Sequence, residues 1–199
     1  MKNVLKNSKK GFLMVIMMTT LLSFANEVSS FNIKNETTRT ALGLDYVKPG
    51  NLLSIKDSNG VILHKEVIQA TGIFSTGFDL TMLPDGTYSF EVDKGLEISM
   101  IPFSVKSGLV LFEKEKEAII HKPHTRVEGN VVYVNKLALE EQMLKIYIYS
   151  TAFDEETLLH SETIENTTNI QKVYRLKGLE DGSHKIVFHT DGREYVKHI

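Results

Sequence analysis

The stretch Thr87-Tyr88-Ser89-Phe90-Glu91-Val92 alternates polar and apolar side chains, which puts Tyr88, Phe90 and Val92 on one face. Alternation with a period of two is the signature of a strand buried on one side. The pattern returns 96 residues later as Ser183-His184-Lys185-Ile186-Val187-Phe188, with His184, Ile186 and Phe188 in the same places. Working outward, Leu63-His64-Lys65-Glu66-Val67-Ile68 returns as Leu159-His160-Ser161-Glu162-Thr163-Ile164, and Leu83-Pro84-Asp85-Gly86 returns as Leu179-Glu180-Asp181-Gly182, both displaced by 96. One displacement shared by separated segments implies duplication of a domain. Leu53 and Ile55 match Leu144 and Ile146 at a displacement of 91, so the second copy is expected to gain five residues before Leu159. The gain is expected in a turn, the tight Asp57-Ser58-Asn59-Gly60 of copy one becoming the longer Thr151 to Glu156 of copy two.

The expected fold is all-β, two tandem antiparallel sandwiches, with domain one over residues 26–121 and domain two over 122–199. Pro123 cannot donate to a ladder and restricts Lys122, so a strand end and hinge are expected at His121-Lys122-Pro123-His124. Leu137 to Met143 is the best helical candidate, short enough to be a turn between strands. In Glu113-Lys114-Glu115-Lys116-Glu117, alternation predicts a solvated edge strand whose charges discourage edge-to-edge association.

The run Leu83-Pro84-Asp85-Gly86-Thr87-Tyr88 resembles the E-to-F corner of immunoglobulin-like and fibronectin type III-like sandwiches. There a glycine makes the turn and a nearby tyrosine bonds back to the preceding backbone. The resemblance covers both copies, from about Thr38 to the end, and implies a two-sheet antiparallel sandwich. Copy two departs from it at His184, in the place of Tyr88. The order of Asn59-Gly60-Val61-Ile62-Leu63 and then Leu83 to Tyr88 is also similar to secreted sandwich modules of Bacteroidetes, including type IX secretion C-terminal sorting domains. The last strand, Gly192 to Ile199, fits a sorting domain, but the Asn-Pro opening usual there is missing.

Residues 1–25 carry Lys2, Lys6, Lys9 and Lys10, an apolar stretch from Gly11 to Leu22, and Ser23-Phe24-Ala25. That is the order of a secretory signal peptide, with cleavage expected after Ala25 and an uncleaved N-terminal anchor as the rival reading. The apolar stretch is about a dozen residues, short of the roughly 20 that span hydrocarbon. Export to a secreted, periplasmic or cell-surface location is therefore expected, with no membrane span after cleavage. Cleavage removes four of the 23 basic residues and none of the 25 acidic ones, leaving a net charge of −6. An acidic chain disfavours nucleic-acid binding by a broad basic surface. With no cysteine, neither a disulfide framework nor a lipidated cysteine is available.

Chemistry-bearing patterns are few. His121 and His124 are three apart across a proline and lack the further convergent ligands a structural site needs, so no metal and no cofactor are expected. His64 with Glu66, and His160 with Glu162, sit two apart on a strand and are expected to pair on the outer face. No nucleophile elbow, phosphate-binding glycine loop or zinc-protease helix motif occurs. The remaining candidate is a surface. In Leu144-Lys145-Ile146-Tyr147-Ile148-Tyr149 the aliphatics take one face, leaving Lys145, Tyr147 and Tyr149 on the other as the candidate binding face. The positions equated with it in copy one, Ser54 and Lys56, are polar.

These readings together describe an exported, non-catalytic binding or adhesion module whose partner is an extracellular or cell-surface protein, or a polysaccharide. A structural or secretion-sorting element of a surface assembly is the alternative, and a hydrolase with an unrecognised site the third.

Overall fold

The computed structural model describes residues 31–35, 39–152, 155–179 and 182–199; the expected export segment lies outside them, as do Glu180 and Asp181 of the second corner. The protein is all-β, built from antiparallel sheets paired face to face. In the first sandwich, β1 (Phe31–Asn35), β2 (Thr40–Val47) and β5 (Gly72–Phe78) form one sheet in the order β1-β2-β5. The facing sheet runs β4 (Ile62–Val67), β3 (Leu52–Asp57), β6 (Gly86–Asp93), β7 (Glu97–Lys106) and β8 (Leu109–Phe112), with β9 (Ala118–His121) also paired to β7. In the second sandwich, β10 (His124–Glu128), β11 (Val131–Leu137) and β14 (Asn169–Arg175) form one sheet. The other runs β13 (Thr157–Ile164), β12 (Leu144–Ser150), β15 (His184–Thr190) and β16 (Arg193–His198). No helix among the described residues is long and apolar enough to cross a membrane.

Each sandwich closes over its own apolar cluster. Leu53, Ile55, Tyr88, Phe90 and Val92 meet Leu42, Leu44 and Val47 in the first, and Ile146, Ile148, Ile186 and Phe188 meet Val132, Val134 and Ile170 in the second. Phe90 is fully buried and lies 5.2 Å from the rings of both Phe78 and Phe103. The corner is as the resemblance implies: the Tyr88 hydroxyl donates to the Pro84 carbonyl at 2.7 Å. In the second copy the buried His184 lies 3.5 Å from Ser183 Oγ, and Glu180, which matches Pro84, is outside the described residues.

Strand register corrects the expected insertion. Leu53 and Ile55 pair with Val92 and Phe90, and the strand positions 96 residues on, Phe188 and Ile186, pair with Ile146 and Ile148. The displacement across β3 and β12 is therefore 93, and the turn gains three residues instead of five. Both copies carry a β-bulge at the same place, since Ile55 faces His64 while Lys56 faces Ile62, and Ile148 faces His160 while Tyr149 faces Leu158. The first copy's tight turn is held by Asp57, whose carboxylate accepts the amides of Asn59 and Val61 while Gly60 takes a φ of +81°.

Two segments differ from expectation. Lys114–Lys116 is a single 3-10 turn between β8 and β9, tied by a Glu113–Lys116 ion pair, and not an edge strand. An i,i+3 pair of opposite charges favours a helical turn over an extended one. Ala138 to Met143 is a turn between strands, with Glu141 at a φ of +56°.

The joint between the sandwiches is polar. Lys122 donates to both oxygens of Asp93 at 2.8 Å. Lys136 points inward from β11 at the position Leu44 takes in β2, each lying opposite a buried-side residue of the partner strand, Ile170 and Phe74, that are 96 apart. Its side chain is 1% exposed, and its amine donates to the His121 carbonyl and to Asp191, both at 2.9 Å. An ammonium at a core position is tolerated because charged and carbonyl acceptors meet it.

Candidate binding face

On β12 the aliphatic residues Leu144, Ile146 and Ile148 are fully buried, while Lys145, Tyr147 and Tyr149 point outward and are each half-buried. The Tyr147 ring packs edge-on against His189 of β15, with centroids 5.5 Å apart. Lys185 lies over the Tyr149 ring at 5.0 Å and forms an ion pair with Glu156. The Lys145 side chain makes no hydrogen bond or ion pair among the described residues. A groove of about 670 Å³ opens beside this face, lined by Met143, Lys145, Tyr147, His189, Arg193 and Glu194, among others. The structure thus brings Lys145 and Tyr147 to one groove and places Tyr149 farther along the strand under Lys185. His189, one register step from Tyr147 across the ladder, is a member that sequence reasoning missed. Its signal was available in the repeat alignment of β15 with β6.

The corresponding face of the first sandwich is not an unencumbered polar surface. In the corrected register Ser54 and Lys56 match Tyr147 and Tyr149, and both lie beside Glu91, which points outward from β6 yet is only 4% exposed. Arg193 of the second sandwich reaches across and meets both Glu91 oxygens, Nη2 to Oε1 at 2.6 Å and Nη1 to Oε2 at 3.1 Å. Lys56 adds a third contact at 2.7 Å. Burial pushes the Glu91 carboxyl up, and the bonds from Arg193 and Lys56 outweigh it, holding the group below the usual carboxylate range. The bond to Glu91 likewise raises Arg193 against the effect of its own burial. The turn Asp191-Gly192-Arg193 therefore sits on this face, facing Met100 and Pro102 across a narrow cleft.

The histidine and glutamate pairs form, His64 to Glu66 at 3.6 Å and His160 to Glu162 at 3.5 Å, but on the inner side of the sheet and not the outer one. His64 and Glu66 lie opposite Ile55 and Leu53, and His160 and Glu162 opposite Ile148 and Ile146. His64 rests edge-on against Phe78, and His160 lies tilted against Tyr174. The cause is position: β4 and β13 are edge strands, where an inward polar side chain still reaches the rim, and inward charge there opposes strand addition. Glu162 accepts from Lys172 and from the Tyr174 hydroxyl. Burial raises its carboxyl while these bonds bring it below the ordinary range, and burial with the Glu162 bond pushes the Tyr174 phenol well up. With both oxygens engaged, Glu162 serves as a tie between sheets. Among the described residues no three of histidine, aspartate and glutamate converge as a metal site.

No family model matches the chain, and no curated protein does. Solved structures that are similar in part include a biofilm-associated protein's BSP domain, at 15% identity and a TM-score of 0.27 over 84% of this chain and 28% of that one. The human OSCAR ligand-binding domain overlaps at 10% identity and a TM-score of 0.26, over 85% of this chain and 96% of that domain. A pullulanase complexed with maltotriose from Anoxybacillus sp. LM18-11 overlaps at 11% identity and a TM-score of 0.26, over 84% and 25%. The chain spans little more than a quarter of the first of these, and overlaps at such TM-scores assign no activity, ligand or partner to it.

Proposed function

We propose that this chain is an exported, non-catalytic binding module built of two units, residues 26–121 and 122–199, that contacts an extracellular or cell-surface protein through the outer face of β12 and β15. The observation that carries the reading is the pairing of an unpartnered Lys145 with a half-exposed Tyr147 on the rim of a groove of about 670 Å³. A tyrosine on such a face offers an apolar ring and a hydroxyl at small entropic cost, and a lysine adds steering. The first sandwich spends the same face on holding the second, which leaves the second sandwich as the one free to engage a partner.

Replacing Tyr147 and Tyr149 with serine tests the reading. Pull-down of outer-surface proteins and a glycan array supply the partner. The double variant is expected to lose that partner while its melting temperature stays within a few degrees, because half-buried aromatics on the outer face add little to the core beneath. Val173→Ser, on the exposed side of β14, is the matched control and is expected to change neither. A stable double variant that keeps every wild-type partner removes this face from consideration.

A further inference from the structure

The repeat makes the two outer faces comparable residue by residue. Ser54, Lys56, Glu91 and Met100 of the first sandwich correspond to Tyr147, Tyr149, Val187 and Val196 of the second, since Ser54 pairs with Glu91 and Glu91 with Met100 as Tyr147 pairs with Val187 and Val187 with Val196. On the first face a β-hairpin tip, Asp191-Gly192-Arg193, is seated, with Arg193 on the buried Glu91. The second face keeps the same strand geometry and is accessible around the buried Val187, with Val196 47% exposed and both tyrosines half-buried. The acid at the centre has become Val187, the polar flanks have become tyrosines, and the cations Lys145 and Lys185 stand beside them, with Glu194 farther along the rim beside His189 at 3.6 Å.

We propose that this second face seats the tip of a β-hairpin from another β-sandwich protein, and that the tip carries an acidic side chain next to an apolar one. The acid meets Lys145, in the reverse sense of Arg193 meeting Glu91, and the apolar residue lies on Tyr147 and Val196. Lys185 is already paired with Glu156, so Lys145 is the cation available to the incoming acid. The inference rests on the binding-face reading above and adds the kind of partner to it. A flat tip on a sheet face matches how this chain already joins its own sandwiches, whereas a long edge pairing would meet the inward charges of Glu66 and Glu162 on the outermost strands.

The chain supplies its own probe. A backbone-cyclised hairpin of residues 188–195 carrying Arg193→Glu reproduces the seated tip with the charge reversed. Titrated into the full-length protein and followed by NMR, it is expected to shift Lys145, Tyr147, His189 and Val196 with millimolar affinity, as befits a single tip without its domain. The unsubstituted hairpin, with arginine facing Lys145, is expected to bind at least about tenfold more weakly. Lys145→Glu in the protein should reverse that preference, and this charge-swap rescue is an effect that a merely misfolded variant cannot give. No shift on this face with either hairpin, or a preference that Lys145→Glu leaves in place, overturns the inference. If instead a glycan binds, and binding is lost in Tyr147→Ser, the face remains a binding site but the hairpin partner is wrong. If neither hairpins, glycans nor surface proteins bind in a Tyr147-dependent way, the face reading itself falls with it.

Discussion

Glu91 and Val187 occupy the same place in the two sandwiches, the outward centre of the strand that follows the corner, and they show how one repeated fold carries two different outer faces. In the first copy an acid there is buried by Arg193 and Lys56, and the sheet face becomes part of the joint. In the second copy a valine there is also buried, but it is flanked by the half-buried Tyr147 and Tyr149 and by the exposed Val196, so the face around it stays accessible. The inner faces hardly differ, since Phe90 and Val92 answer to Ile186 and Phe188 in equivalent cores. A duplicated sandwich is thus constrained to keep its inner alternation, while the outer positions between those residues are free to diverge. A charge buried on one side of a joint needs its counter-charge on the other, so Glu91 and Arg193 must be kept or lost together.

The largest expected effects test the shared part. Phe90→Ala is expected to cost about 3 to 5 kcal/mol and Ile186→Ala about 2 to 5 kcal/mol, measured by chemical denaturation of the full chain. A loss below about 1 kcal/mol in either would show that the strand faces the other way and that the two cores are not equivalent. Next comes the joint. Glu91→Ala leaves Arg193 and Lys56 facing each other without their acid. Breaking a buried pair costs about 3 to 5 kcal/mol, and partial solvent access to both cations reduces this to on the order of 2 kcal/mol. Small-angle X-ray scattering should show a larger radius of gyration, while Val187→Ala leaves the scattering unchanged. An unaltered profile for Glu91→Ala would mean that Lys136 and Lys122 hold the joint without it.

The same carboxyl sets a pH dependence. Its folded value lies below the ordinary 4.5, so its stabilisation is full above about that pH and is lost as the pH falls through the lower folded value. The joint is therefore expected to loosen below about pH 4.5, and Glu91→Gln should flatten that part of the profile. A scattering profile in the wild type that does not change between neutral pH and this range would contradict it.

What the sequence disclosed follows from what alternation can and cannot encode. Alternation identified the inner residues of β6 and β15, and with the Leu-Pro-Asp-Gly corner it led to the sandwich. It could not distinguish a displacement of 91 from 93 across Leu53, Ile55, Ile146 and Ile148, because a slip of two residues leaves every side chain on its own face. It also misplaced His64 and His160. Both follow a bulge residue, Leu63 or Leu159, and lie on edge strands where apolar and polar side chains are solvated on either face. For the candidate face, the outward places of Lys145 and Tyr147 were legible from strand parity. The outward place of His189 was legible in the same way but passed over, whereas the burial of Glu91 was not legible, since it depends on Arg193 brought close by the second sandwich.

The smallest expected effect separates two residues that the repeat makes identical. Glu66 and Glu162 occupy the same inward edge position, each beside a histidine at about the same distance. Glu162 also ties β13 to the facing strand through Lys172 and Tyr174, whereas Glu66 faces a sheet that carries Phe78 where the second has Tyr174. A hydrogen bond to a charged group is worth about 1.5 to 3 kcal/mol when buried, and the partial exposure of Glu162 brings the expected cost of Glu162→Gln down to about 1 kcal/mol. Glu66→Gln should cost less than about 0.5 kcal/mol, because an exposed His–Glu pair contributes little at neutral pH. The measurement is a pair of denaturation curves at pH 7. Equal losses in the two variants would mean that Lys172 and Tyr174 hold the second rim no better than Phe78 holds the first. In that case the two edges would be interchangeable and the divergence of the copies would be confined to their outer faces.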